Sequence, residues 1–273
     1  MSFSTLSHEG LWILQAPNLA VCGLRHGFST RRGGCSPAPF DSLNLWLRSD
    51  DTMEHVRENY RRFCSALRIS PERTVCSNQV HGDTVRPVTA EDCGKGVFFP
   101  QDYEADALIT QVPDVALTVF SADCCPLLFF DPVTRSIGAC HAGWRGTALG
   151  IAEKTVAAMT RHFGTDPQDL QVAMGPTIGA CCFETQEDVP AAMLEALGES
   201  ARPYLHPQGA AWRVDLPKLN RQWLLRAGVP SENITDSGRC TRCDSELFWS
   251  HRSCGRQRGA QAAMIALAAG GLA

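Results

Sequence analysis

Residues 105–146 read ADALITQVPDVALTVFSADCCPLLFFDPVTRSIGACHAGWRG. Short apolar runs lie at 105–110, 115–121, 127–130 and 136–141, with turn signals at Val112-Pro-Asp114 and Asp131-Pro132 between them. Apolar runs bounded by such signals predict strands. The last run leads through a glycine-flanked turn into 147–163. There Ile151, Thr155, Ala158, Met159 and Phe163 share one face of a predicted helix.

Upstream, 11–14, 19–28, 74–77 and 84–88 read as strands. Residues 31–51 form a loop rich in Gly, Pro, Ser and Asn, long enough to suggest function. A helix is expected over 53–67, where Val56, Tyr60, Phe63 and Leu67 recur at helical spacing. Ser49 and two Asp residues precede it as a capping region. Downstream, 170–174, 211–215 and 247–250 read as strands, and 187–197, 216–227 and 257–268 as helices. Strand and helix blocks mix without strict alternation. The expected class is therefore α+β, with mixed β-sheets and helices packed on the outside. No repeat or linker divides the chain, so residues 1–273 are expected to form a single domain. No glycine-rich strand-to-helix fingerprint for a dinucleotide or nucleoside triphosphate is present.

A chain of 273 residues can bury a full core. The net charge of −4 argues against a nucleic-acid partner, which usually demands a basic surface. The uncharged stretch 260–273 is too short and too rich in Ala and Gly to span a membrane, so no membrane partner is expected. The N-terminus lacks a basic region followed by an apolar one, so no signal peptide is read and a cytoplasmic location is expected. In that compartment the 13 cysteines are expected as free thiols or metal ligands, and their odd number excludes complete internal pairing.

Several residues carry chemistry. His81 lies in a polar loop, Cys124 ends one apolar run and His141 ends another. Singly, each has a plainer reading as a surface histidine, a small buried hydrophobe or a strand-end histidine. Together, one thiol and two imidazoles make a three-ligand metal set that leaves a coordination position open. Spacing alone does not join them. The turn 142–146 enters a helix, whose N-terminus suits an anion, and Arg145 adds a planar charge there. Arg31, Arg32 and the paired glycines after them offer a second place for a phosphate or carboxylate. Asp106 and Asp123 stand near strand ends, as proton carriers or as partners of a metal-bound histidine. Cys240-Thr-Arg-Cys243 is a CxxC with no second CxxC beside it, because Cys181-Cys182 is vicinal; it reads as structural.

In order, His26-Gly-Phe-Ser-Thr-Arg31, Ser42-Leu-Asn-Leu45, Asn78-Gln-Val-His-Gly82, Ala105-Asp-Ala-Leu108, Ala122-Asp-Cys124, His141-Ala-Gly-Trp-Arg-Gly146 and Gly175-Pro-Thr-Ile-Gly179 resemble YfiH-like, or laccase-domain, proteins. The tail from Cys240 to Arg256 is similar too. The resemblance implies a zinc-dependent purine nucleoside phosphorylase that also deaminates adenosine. Adenosine, inosine, S-methyl-5′-thioadenosine and phosphate are the small-molecule partners it implies. It maps the zinc ligands onto His81, Cys124 and His141. Arg31, Asn44 and Arg145 are then candidate substrate-binding residues, with Asp123 and Arg145 as candidate catalytic ones. Two departures stand out: Cys125 replaces the usual aliphatic residue, and Trp46 the usual glycine, which is expected to narrow the mouth of the site.

Other classes compete. A copper-dependent polyphenol oxidase matches the older family name, but eight histidines are few for a complete multicopper centre. A cysteine hydrolase would use Cys124 as nucleophile with His141 or His81 as base. A metal-stabilised binding protein would use the same ligands without turnover.

Overall fold

The computed structural model describes residues 2–269, so residues 270–273 of the uncharged C-terminal stretch lie outside the described part. Strands are numbered along the chain. The first sheet holds β1 (Ser4–His8), β2 (Leu11–Gln15), β3 (Leu24–Ser29), β4 (Thr74–Val75), β7 (Ala116–Ser121) and β15 (Gln261–Leu267), in the order β1-β2-β3-β15-β7-β4. The second holds β5 (Val85–Pro87), β6 (Ala107–Thr110), β8 (Cys125–Asp131), β9 (Ser136–Ala142), β10 (Gln171–Met174) and β14 (Ile234–Asp236), in the order β14-β10-β8-β9-β6-β5. A small third sheet joins β11 (Glu184–Thr185), β12 (Leu205–Gln208) and β13 (Ala211–Val214). The two large sheets are mixed: β4 with β7, β5 with β6 and β10 with β14 run parallel, and the remaining pairs, including both of the third sheet, antiparallel.

The two large sheets lie face to face with helices outside them. Between the sheets, Phe28, Leu117, Val119 and Ile265 meet Leu108, Leu128, Phe130 and Ile137. The outer face of the first sheet is covered by α1 (Met53–Ala66) through Val56, Tyr60 and Phe63. The outer face of the second is covered by α3 (Ile151–Phe163) and α5 (Leu216–Arg226), with α4 (Asp188–Leu197) packed against α5 and the small third sheet. The central strands of each large sheet are thus buried on both faces, which is why β8, β9 and β15 carry no polar face. The pleat still sorts them: Leu128 and Phe130 point between the sheets, while Cys125, Leu127 and Phe129 point toward the helices. Burial of each such Leu or Phe is worth roughly 1.5–3 kcal/mol.

Some elements differ from the sequence expectation. Residues 257–268 form no helix; 261–267 are β15, a central strand between β3 and β7. Its odd positions Ala263, Ile265 and Leu267 enter the intersheet core, and its even positions Ala262, Met264 and Ala266 face α1. That is a period of two between two apolar layers, which composition alone cannot tell from an Ala-rich helix. The expected helix 147–163 is two helices, α2 (Trp144–Ala148) and α3, broken at Gly150, whose φ of +74° caps the second. Residues 247–250 form no strand, because Leu247 and Phe248 give their N–H groups to Asp244 O in a turn that leads toward α6 (His251–Cys254). The 19–28 run starts its strand only at Leu24, after a 3-10 turn at Pro17–Leu19. Thr52, not Ser49, caps α1; Ser49 Oγ instead accepts from Asn44.

Candidate metal centre and active-site cavity

The chain leaves the first sheet for the second through residues 76–84, between β4 and β5, and again through residues 122–124, between β7 and β8. His81 sits in the first crossover, Cys124 ends the second, and His141 lies beside them near the end of β9. Gln79 clamps the crossovers together: its side-chain amide donates to Phe120 O at 2.8 Å and accepts from Phe120 N at 2.7 Å. Both crossovers have left-handed backbone at a non-glycine residue, His81 at φ +61° and Asp123 at φ +91°. Such conformations cost about 1–3 kcal/mol each and persist only where surrounding contacts impose them.

Asp106 supplies many of those contacts. Its buried carboxylate accepts the backbone N–H groups of Val80, His81 and Gly82 at 3.1, 3.1 and 2.8 Å. It also accepts from His141 Nδ1 at 2.8 Å. Burial pushes this carboxyl up, but the hydrogen bond and charge of His141 and the backbone donors outweigh it and hold it below the ordinary carboxylate range. With Nδ1 committed to Asp106, His141 offers Nε2 to the site.

The donor atoms of His81, Cys124 and His141 all lie within 4.8 Å of one another. His81 Nε2 is 3.8 Å from Cys124 Sγ, and the two imidazoles meet at 81° with centroids 4.9 Å apart. Nitrogen and sulfur ligands around a tetrahedral zinc stand about 3.3–3.8 Å apart, so the set fits such an ion with little movement. Gly143 lets it assemble, because a Cβ there would stand 2.7 Å from His81 Cδ2 and 3.1 Å from Cys124 Sγ. Burial raises the Cys124 thiol, yet the charge and hydrogen bond of His141, with help from His81, bring it well below its ordinary value. A thiolate is the form a metal binds. The neighbouring Cys125 points the other way, into the core beneath the helices, where burial pushes its thiol up.

The centre opens into a cavity of about 480 Å³, within the usual range for small-molecule sites. Trp46, Phe120, Phe183 and Leu216 give it apolar walls, and Arg48, Arg145, Arg252 and Arg258 give it charge. Among the described residues none of these four guanidinium groups forms an ion pair with a carboxylate. Burial lowers the Arg258 guanidinium, against the nearby charges of Asp123 and Cys124, and its plane lies 4.9 Å from the Trp46 ring.

The fold brings His81, Cys124, His141, Asp123 and Arg145 to this one cavity. Asp123 arrives with both oxygens occupied: Oδ1 accepts from Thr241 Oγ1 at 2.6 Å and Oδ2 from Arg252 N at 2.7 Å. That bonding suits an anchor of the Cys124 crossover better than the expected proton carrier. Arg31 and Asn44 stand outside the cavity wall. Arg31 donates to Asp41 O and Ser245 O and lies 4.1 Å over Trp249, so its charge is spent joining two loops. Asn44 is fully buried and accepts from the N–H groups of Trp46 and Ala260, both cavity residues, so it shapes the wall from behind. Sequence reasoning missed Arg252 and Arg258 as cavity residues; the basic run His251-Arg-Ser-Cys-Gly-Arg-Gln-Arg258 was the available signal.

A family model described as multi-copper polyphenol oxidoreductase laccase matches residues 25–268. The chain belongs to this laccase-like family. It is 41% identical over 264 residues to a Deinococcus radiodurans protein named purine nucleoside phosphorylase, covering 96% of this chain and 95% of that one. It is 39% identical over 246 residues to Geobacillus stearothermophilus purine nucleoside phosphorylase YlmD, covering 88% of each. Among solved structures, Bacillus licheniformis hypothetical protein YfiH superposes with a TM-score of 0.91 at 33% identity, over 97% of this chain and 98% of that one. The laccase-like family name implies a metal, and the His81–Cys124–His141 set is a candidate place for it.

Proposed function

We propose that this chain is a zinc-dependent purine nucleoside phosphorylase that also deaminates adenosine. The observation that carries the reading is the convergence, on one cavity with aromatic walls, of a His–Cys–His donor set and arginines that form no ion pair among the described residues. The names of the Deinococcus and Geobacillus relatives support the phosphorylase part of this reading. A three-ligand set with an open side is the usual form of a catalytic zinc site. A blue-copper site usually adds a weak axial methionine, and among the described residues no methionine lines this cavity.

In this reading the purine lies against Trp46, Phe120 and Phe183, whose faces suit a flat aromatic base. Arg145 and Arg258 hold phosphate as a planar-fork pair, with Arg252 beside them. Phosphate oxygen attacks the ribose C1′, and the glycosidic electron pair leaves with the base. The arginines align the anion and offset its charge, so proximity and electrostatics carry most of the rate enhancement. A zinc ion held by His81, Cys124 and His141 would supply Lewis acidity next to the bound base. Asp106 keeps His141 in the required tautomer, and Asp123 fixes Cys124 through Thr241 and the backbone of Arg252.

The test is a panel of adenosine, inosine and S-methyl-5′-thioadenosine, with and without phosphate, on zinc-loaded and metal-stripped protein. Expected products are free base and pentose 1-phosphate only with phosphate, and inosine from adenosine without it. No product from any of the three on zinc-loaded protein would sink the proposal.

The line Asp106–His141–Cys124 also favours a second reading, a cysteine hydrolase with His141 as base. Activity that survives metal removal and disappears on thiol alkylation would select it.

A further inference from the structure

Away from the cavity's donor set, Cys181, Cys182, Cys240 and Cys243 converge on one point of the surface. Their four sulfurs all lie within 4.8 Å of one another. Cys243 Sγ is 3.5 Å from Cys181 Sγ and 3.4 Å from Cys182 Sγ. Sulfurs around a tetrahedral zinc, at about 2.3 Å from the ion, stand about 3.8 Å apart. All four are free thiols, and these separations are far beyond the roughly 2.05 Å of a disulfide bond. We infer that the four cysteines form a second metal site, a structural zinc centre with four thiolate ligands.

The backbone is shaped for it. The vicinal pair follows the turn at Gly175-Pro-Thr-Ile-Gly179, and the CxxC follows β14. The two segments are stitched together by Thr177 N donating to Arg239 O at 3.1 Å and Thr241 N donating to Thr177 O at 3.2 Å. Gly179 N donates to Cys240 Sγ at 3.3 Å, an N–H···S contact that favours a thiolate. Gly179 also permits the close approach, since a Cβ there would meet Cys181 Sγ at 3.3 Å. Arg213 and Arg252 donate to the carbonyls of Cys181 and Cys182, which sets positive charge beside the ligand-bearing turn. Loading turns thiols into thiolates, so each bound zinc releases protons to solvent.

Four protein ligands leave no open position, so the centre holds structure rather than doing chemistry. What it holds is the cavity wall. Ile178 and Phe183, on either side of the vicinal pair, line the cavity, and Thr241, inside the CxxC, donates to Asp123 beside Cys124. The site staples the two cysteine-bearing segments to the crossover that carries Cys124, which Ile178 N and Thr241 Oγ1 bond at Asp123.

Metal analysis of protein purified under reducing conditions without chelator tests the inference. Two zinc equivalents per chain are expected. C240S/C243S should retain one, H81A should retain one, and combining the changes should retain none. Should C240S/C243S fail to fold, the wild-type chain still decides the matter through differential alkylation mapped by mass spectrometry. The exposed Cys181 and Cys243 should react in zinc-stripped protein and be protected with Cys182 and Cys240 once zinc is restored. Equal alkylation in both states would overturn the assignment. So would a zinc content of one that falls to zero in H81A, or a disulfide between any two of the four in protein that still binds its full metal.

Discussion

Asp106 Oδ1 accepts the Nδ1 proton of His141 at 2.8 Å. The same oxygen accepts the His81 backbone N–H at 3.1 Å, so one buried carboxylate orients two members of the donor set. Loss of such a partner typically lowers metal affinity about 10–100-fold. D106A should therefore weaken zinc binding by that factor, and it also strands three backbone N–H groups. D106N retains an acceptor oxygen and should weaken zinc less than D106A. Competition with a chelator of known affinity measures both. Equal zinc affinity in wild type and D106A would show that His141 needs no such support.

Adjacent cysteines should behave as opposites. Cys124 faces His81 and the cavity, whereas Cys125 is fully buried with Leu127 and Phe129. C124A is expected to lose the metal of the His81–Cys124–His141 set, and with it turnover, while leaving the fold and the four-cysteine centre intact. C125A is expected to keep the metal and to lose roughly 1 kcal/mol of stability, the usual scale for a small buried deletion. Metal content and urea unfolding of the two variants separate the roles. Full metal content in C124A with loss of one equivalent in C125A would reverse the assignment.

How much of this was legible in the chain depends on which signal each residue sends. The strands between 105 and 141 were legible because Pro- and Asp-bearing turns bound them. The strand at 261–267 was not, because its two faces meet two apolar layers and its alanines favour a helix when read alone. The three donor residues come from two crossovers and a strand end, so no local spacing links them; only the resemblance did. Asp106 was visible as a carboxylate near a strand end, but its four hydrogen bonds needed the fold. Arg31 and Asn44 stand in recognisable motifs, yet their side chains bond loops instead of facing the cavity. Vicinal Cys181-Cys182 matches no common ligand spacing, and only the pairing of residues 177 and 240 brings it to the CxxC.

Arg145 should matter for phosphate and hardly at all for stability. Its side chain is exposed, lies 4.2 Å from the Trp144 ring and forms no ion pair among the described residues. A hydrogen bond to a charged group is worth about 1.5–3 kcal/mol, which corresponds to roughly 10- to 100-fold in rate or affinity. R145M keeps the apolar stem and removes the charge. It should lower kcat/KM for phosphate by that factor, with an unchanged thermal midpoint and unchanged zinc content. Phosphate saturation equal to wild type would move the anion to Arg252 and Arg258.

A pH-dependent weakness lies far from the cavity, at His26 on β3. The ring is buried, and its Nε2 accepts the Ala16 backbone N–H at 2.9 Å, so the neutral form is the one the fold accommodates. Burial takes its pKa from 6.5 to about 4. Between these values the unfolded chain binds a proton that the folded chain refuses. Stability is therefore fully present above pH 6.5, falls as the pH drops toward about 4, and has lost this contribution below it. The shift corresponds to about 3 kcal/mol across the window. H26Q presents an amide oxygen to the same Ala16 N–H and does not titrate. Urea unfolding from pH 7 downward should show wild type losing about 3 kcal/mol more than H26Q by about pH 4. Parallel stability–pH curves for the two proteins would mean that His26 is protonated without penalty in the folded state.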